Sequence, residues 1–202
     1  MAAALCAVLF VMAGLAGCTA ENQGGGSTEP SVSAEIPSSS SGDAQTFIYD
    51  VELNYANGAY VETGDESLPK LIPVSSRVQL EEADLTAAAD QALQLLKDNT
   101  PALVSSATPN PITCVGDDVN VHVTEISGGR CVVDLSGDSL MSQNMYTEMF
   151  LIYQIAATLM DSFDEISSVH FTVDGEETDA LSYMDLSGDY TRELLNEFTE
   201  AQ

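Results

Sequence analysis

The chain has 202 residues and a formal net charge of −27, from 32 acidic residues against five basic ones, Lys70, Arg77, Lys97, Arg130 and Arg192. That balance excludes a nucleic-acid binder, which needs a basic footprint, and excludes attachment to anionic lipid head groups by charge. Hydrophobic residues make up 45% of the chain, too many for a disordered acidic tail and enough for one folded domain with accessory segments.

Residues 2–17 are almost wholly apolar, AAALCAVLFVMAGLAG. The run falls short of the about 20 residues of a spanning helix and fits the hydrophobic region of an export signal. It closes on Leu15-Ala16-Gly17-Cys18, which resembles a bacterial lipobox. Small side chains there admit a signal peptidase just before the cysteine, whose thiol takes a diacylglycerol. Residues 1–17 are therefore expected to be a lipoprotein signal peptide and Cys18 the lipidated residue, with more than one acyl chain giving stable anchoring. No lysine or arginine precedes the apolar run, a departure from export signals. Residues 18–45 are rich in Gly, Ser, Pro and Glu and have no period. Such a stretch buries too little to order itself and is expected to be a flexible tether.

Ordered patterning begins at residue 46. Phe47, Tyr49, Val51, Leu53 and Tyr55 alternate with Ile48, Asp50, Glu52 and Asn54, which predicts a strand. Its aromatic phase, Tyr49 and Tyr55, is expected in the core, with a shallow cleft as the alternative. Asn57-Gly58 predicts a turn. Leu71–Val78 predicts a second strand, placed by Pro73 at an edge or bulge. Asp84–Lys97 predicts a helix with Leu85, Ala89, Ala92 and Leu96 on one face, ended by Asn99-Thr100-Pro101. The stretch from Pro101 to Gly116 carries three prolines and reads as a loop. Val119, Val121 and Val123, then Cys131, Val133 and Leu135, flank a Gly128-Gly129 turn and predict a hairpin. Asn144–Ser162 predicts a second helix whose core face is Met145, Met149, Ile152, Ala156 and Leu159, apolar beyond that stripe and so deep against the sheet. Val169, Phe171 and Val173 alternate in the last main strand, turned at Asp174-Gly175.

The order of elements predicts an α+β two-layer sandwich over residues 46–202: a mixed or antiparallel sheet of about five strands with two helices on one face. Besides Cys6 and Cys18 the chain has Cys114 and Cys131. A hairpin turning at Gly128-Gly129 sets Cys131 near Ile126, not Cys114, and a disulfide would need Cys114 to fold back within about 7 Å. Two separate buried thiols are expected, with the bond as the alternative.

Four stretches carry a family resemblance: Leu71-Ile-Pro-Val-Ser-Ser-Arg77, Gly129-Arg-Cys-Val-Val-Asp-Leu-Ser136, Val169-His-Phe-Thr-Val-Asp-Gly-Glu176 and Met184-Asp-Leu-Ser-Gly-Asp-Tyr-Thr-Arg192. In order and spacing they resemble the GerM (GerMN) domain of sporulation and spore-germination lipoproteins, from about Thr46 to Arg192. The resemblance implies a lipoprotein on the outer face of a Gram-positive membrane, in sporulation or germination complexes. Some members carry two such domains, similar to ring-building modules of secretion systems; this chain carries one.

Asp-Leu-Ser-Gly-Asp occurs twice, at Asp134–Asp138 and Asp185–Asp189. Paired acidic loops suit calcium, but neither copy has EF-hand spacing, so Ser and Asp are expected to cap backbone donors. His122 and His170 fall on polar strand phases and are expected as solvated surface residues; a metal or acid–base site with Asp134 or Asp174 is the alternative. Glu81-Glu82 and Glu176-Glu177 read as exposed pairs. No nucleophile elbow, phosphate loop, zinc signature or Cys-His pattern occurs. The expected function is a non-enzymatic binding or assembly module, lipid-anchored at the extracytoplasmic face of the cell membrane, with no catalytic residue, cofactor or metal. Its expected partner is an envelope protein or a second copy, not nucleic acid. The alternatives are a peptidoglycan-associated enzyme or accessory and a small-ligand sensor.

Overall fold

The computed structural model describes residues 46–98 and 110–200, all within one compact unit, Gly42–Gln202. The expected signal peptide (1–17), Cys18, the tether (18–45) and most of the proline-rich stretch lie outside the described residues.

Strand β1 (Phe47–Asn57) follows its alternation, burying Val51, Leu53 and Tyr55 and half-burying Tyr49. Both tyrosines belong to the core. The expected turn at Asn57-Gly58 is instead a helix start. Asn57 ends β1, and its side-chain oxygen accepts from the Ala59 N–H at 3.1 Å, capping the short helix α1 (Gly58–Thr63). Asparagine serves a turn and an N-cap by the same chemistry, so the dipeptide alone does not separate them.

Strand β2 (Leu71–Leu80) runs antiparallel to β1, with Leu80 opposite Phe47 and Pro73 opposite Asn54. It forms an edge, where the missing N–H of Pro73 interrupts no central ladder. Helix α2 (Leu85–Asp98) buries Ala88, Ala89, Ala92, Leu93 and Leu96. Within the expected loop, Pro111–Ile112 forms a two-residue strand, β3, against Ala56 and Asn57.

Strands β4 (Asn120–Ser127) and β5 (Arg130–Ser136) form the hairpin, with Ile126 opposite Cys131. Gly128 (φ 59°) and Gly129 (φ 87°) supply the two left-handed residues that a tight hairpin turn requires. Helix α3 (Met145–Ser162) follows, N-capped by Asn144, whose Oδ1 accepts from the Thr147 N–H at 3.0 Å. It buries Phe150, Leu151, Ile152, Ile155, Ala156, Ala157 and Leu159, nearly all round, and so lies deep in the domain. Met145, on the expected core stripe, is 50% exposed, because the stripe runs past the end of the packed surface.

Strand β6 (Ser168–Val173) returns parallel to β5, with α3 as the crossover. Strands β7 (Glu176–Glu177) and β8 (Tyr190–Thr191) both pair antiparallel with β6, and helix α4 (Arg192–Thr199) closes the described chain.

The α+β class holds, with two differences: the strands divide into two sheets, β2-β1-β3 and β4-β5-β6 with β7 and β8 beside β6, and the short helices α1 and α4 join the two long ones that the periodicity predicts. Helix side chains occupy the edges where further strands would pair. On β4, Asp90 Oδ1 accepts from Val123 N–H (3.0 Å) and Gln94 donates to the Val121 carbonyl (2.7 Å), and just before the strand Lys97 donates to the Val119 carbonyl (3.0 Å). On β1, the Thr158 and Ser162 hydroxyls accept from the Asn54 and Glu52 N–H groups, each at 2.9 Å. Residues three and four apart share a helix face, so each helix presents a polar stripe to one strand edge.

Cys114 and Cys131 are free and buried, and burial pushes both thiols up to about 12. No helix among the described residues is long and apolar enough to cross a membrane.

Candidate functional site

The two histidines take different places. His122 on β4 is exposed, with Nδ1 3.2 Å from Asp90 Oδ1. His170 on β6 was expected on the surface, but its side chain is only 6% exposed. The strand phase is right; what covers it is chain that arrives later. Glu177 of β7 stands 2.6 Å from Nε2, and Asp189, one residue before β8, stands 3.0 Å from Nδ1. Strand β5 lies between β4 and β6, so the histidines do not share a site. Asp134 stands opposite His122 in the β4–β5 register, but the ion pairs of the two histidines go to Asp90, Glu177 and Asp189, not to Asp134 or Asp174. Asp134 Oδ1 accepts from the Thr172 hydroxyl (2.6 Å) and the Gly175 N–H (2.7 Å), tying β5 to the turn after β6.

The second Asp-Leu-Ser-Gly-Asp copy shapes the loop that packs over His170. Asp185 Oδ1 accepts from the Ser187 N–H (2.9 Å) and hydroxyl (2.6 Å), and the hydroxyl bond leads in holding its carboxyl below the ordinary range. Asp189 is contested. Partial burial pushes its carboxyl up, but the hydrogen bond and charge of Arg130, with Nε 2.9 Å away, and then His170, outweigh that and hold it low. In each copy the leading Asp therefore takes a backbone donor, as expected, and Asp189 also takes two side chains.

Sequence reasoning passed over Glu148. It is fully buried in the first turn of α3, and its Oε1 accepts from the backbone N–H groups of Tyr183 (2.6 Å) and Met184 (2.7 Å). The signal was present: a carboxylate in the first turn of a helix that reads as buried nearly all round has to find donors. The Tyr190 hydroxyl donates to the Asp185 carbonyl at 2.7 Å, closing the loop from the other side. Burial, then the neighbouring Tyr153, Asp185 and Glu148, raise that phenol.

Pinned in this way, the loop borders a groove of about 320 Å³, sided by Tyr153 of α3, Leu194 of α4, Tyr190, Met184 and the carboxylates Asp185 and Asp189. Tyr153 stacks on Phe198 with centroids 3.9 Å apart and meets Tyr190 edge-on at 5.6 Å, so the aromatic wall is fixed from behind. Leu194 is 39% exposed and Tyr183, next in the chain to Met184, is 59% exposed. A larger hollow of about 670 Å³ along β1 and β2 is lined by Asp50, Arg77 and Asp161 and has no aromatic side. The groove is therefore the better-formed contact site. Among the described residues no three His, Cys, Asp or Glu side chains converge to hold a metal. The thiols, protonated at neutral pH, are poor nucleophiles.

Fold and site together describe a small α+β domain of two edge-capped sheets with one acidic, aromatic-sided groove. Residues 58–179 match the Germane family, described as sporulation and spore germination, and the chain belongs to that family. Three of the four stretches that carried the GerM resemblance lie inside the match, which bears the resemblance out; Met184–Arg192 lies beyond it. Comparison with curated proteins finds no match. Among solved structures the chain is similar to a candidate lipoprotein from Clostridium perfringens, with 21% identity and a TM-score of 0.44 over 72% of this chain and 89% of that one. It is similar also to the first GerMN domain of the sporulation protein GerM from Bacillus subtilis, with 16% identity and a TM-score of 0.46 over 73% and 98%. The tandem GerMN domains of that protein align with 19% identity and a TM-score of 0.43 over 73% of this chain and 45% of the tandem.

Proposed function

We propose that the chain is a lipid-anchored module on the extracytoplasmic face of the cell membrane, which binds a partner protein in a sporulation or germination complex and carries out no chemistry of its own. The observation that carries the reading is the apolar run closing on Leu15-Ala16-Gly17-Cys18, followed by a polar tether and a folded domain of the sporulation and germination family. At a net charge of −27, anionic lipid repels the domain, so a covalent anchor is the attachment consistent with this sequence. The side chains favour binding over catalysis. Both thiols are buried and raised, both ring nitrogens of His170 are engaged by carboxylates, and the Ser187 hydroxyl donates to the Asp185 carboxylate in a local turn rather than to a histidine.

The test is mass spectrometry of the native protein from membranes, beside a Cys18→Ser variant. An acylated chain beginning at Cys18, and release of the variant from the membrane, are expected. An unmodified chain that keeps its leader and fractionates with the cytosol overturns the reading.

A further inference from the structure

Resting on that reading of a binding module, we infer that the groove beside the 184–190 loop docks a basic segment of a partner protein. A lysine or arginine lies beside Asp185 and Asp189, and an apolar neighbour packs on Met184 and Leu194. The groove offers both chemistries. Its sides are Tyr153, Tyr190, Met184 and Leu194, and its rim carries the two carboxylates. Every hydrogen bond to those carboxylates falls on Oδ1: Ser187 on Asp185, Arg130 and His170 on Asp189. Among the described residues each Oδ2 is left without a protein donor. The molecule already holds a cation against aromatic rings elsewhere: Lys70 Nζ stands 5.7 Å from the Tyr60 ring centre and 5.3 Å from that of Phe198.

The charge inventory selects the occupant. All five cations of the chain are engaged. Lys70 lies 3.8 Å from Glu66, Arg77 2.8 Å from Asp50 and Arg130 2.9 Å from Asp189; Arg192 pairs with Asp161, and Lys97 donates to the Val119 carbonyl. Four of them face carboxylates and the fifth, Lys97, is tied to a backbone carbonyl, so a second copy brings little positive charge to offer, and two domains of this charge repel. Residues 1–45 contain no Lys or Arg and add Glu21, Glu29, Glu35 and Asp43, so the chain's own N-terminal segment fits the groove no better. A basic segment of another protein supplies the charge that these residues lack.

The full-length protein in detergent is titrated with a fluorescent peptide of alternating Lys and Leu, and with a Lys-only peptide of equal charge. Gly188 lines the groove, has no left-handed φ and has open space where a Cβ would stand, so Gly188→Lys places a cation there without disturbing the fold. Gln79→Lys adds the same charge on the exposed side of β2. The alternating peptide is expected to bind about tenfold tighter than the Lys-only one, and Gly188→Lys and Leu194→Ser to weaken it about tenfold, against about twofold or less for Gln79→Lys. Equal responses to Gly188→Lys and Gln79→Lys, or indifference to the Leu residues, show diffuse charge attraction and overturn the groove. Crosslinking in membranes separates the two readings. A partner captured equally by wild type and Gly188→Lys overturns the groove and leaves the binding module standing, whereas no partner for either overturns both.

Discussion

Asp90 and Val123 are joined by one hydrogen bond, 3.0 Å from the backbone N–H to the carboxylate Oδ1, and it closes the open edge of β4. The same oxygen faces His122 Nδ1 at 3.2 Å. An uncapped edge strand leaves backbone donors and acceptors free to recruit other chains. In this domain polar residues on α2 do the work of a neighbouring strand.

Removing Asp90 separates the two roles of its carboxylate. Asp90→Ala leaves the Val123 N–H without its protein acceptor and is expected to cost about 1–3 kcal/mol. Asp90→Asn keeps an acceptor and should cost less. His122→Ala breaks only the exposed pair, worth about 0–1 kcal/mol. Urea unfolding of the three variants checks the order, with the midpoint falling and the slope unchanged. If His122→Ala cost as much as Asp90→Ala, the ion pair and not the edge cap would be the stabilising contact.

Glu148 gives a second test of polar satisfaction. Glu148→Ala strips the acceptor from two backbone N–H groups and should destabilise by about 3 kcal/mol; Glu148→Gln keeps one acceptor oxygen and should lose less. The informative readout is local. Hydrogen exchange at Tyr183 and Met184 should quicken in Glu148→Ala more than at β6, because the loop loses its pin while the sheet keeps its ladder. Uniform quickening across the domain would show that Glu148 holds the core and not the loop.

What the sequence disclosed was periodic and local. The alternation of β1, the Gly128-Gly129 turn and the all-round apolar α3 follow from neighbours a few residues apart, as does the separation of Cys131 from Cys114. What it hid were pairings across the chain. The N–H of Asn54 finds Thr158, 104 residues away, and that of Val123 finds Asp90, 33 away; nothing in either strand's pattern announces a helix at its edge in place of another strand. His170 was hidden for the same reason: its strand phase fixes a face, but burial depends on Asp189, 19 residues on. The groove depends on that return and on Glu148, so the repeated Asp-Leu-Ser-Gly-Asp was visible while its position over β6 was not.

Two glycines should respond oppositely to alanine. Gly137 has φ 135°, and a Cβ there would lie 2.1 Å from the Asp118 carbonyl oxygen, so backbone has to move. Gly137→Ala is expected to cost about 3 kcal/mol or more. Gly188 meets nothing within 4 Å, and Gly188→Ala should stay within about 0.5 kcal/mol. Thermal melts of the pair check both, and a tolerated Gly137→Ala would mean that the segment between β5 and α3 relaxes freely.

Acid should expose the Asp189 contribution. Its carboxyl is held low in the folded state by Arg130 and then His170, against the pull of burial. An unfolded aspartate titrates near about 3.9. A depressed native value means that the unfolded chain binds more protons between the two, so the stabilisation is complete above about pH 4 and drains away as pH falls through the native value. Protonating the other carboxylates of so acidic a chain relieves repulsion and acts in the opposite direction. Comparison with Asp189→Asn removes that common term, since both proteins share it. Urea midpoints should differ most near neutral pH and converge toward pH 2. The gap should be modest, because the Asp189 side chain is about a third exposed and water screens its pair. A gap that stayed constant down to pH 2 would assign the effect to packing around Asp189 and not to its charge.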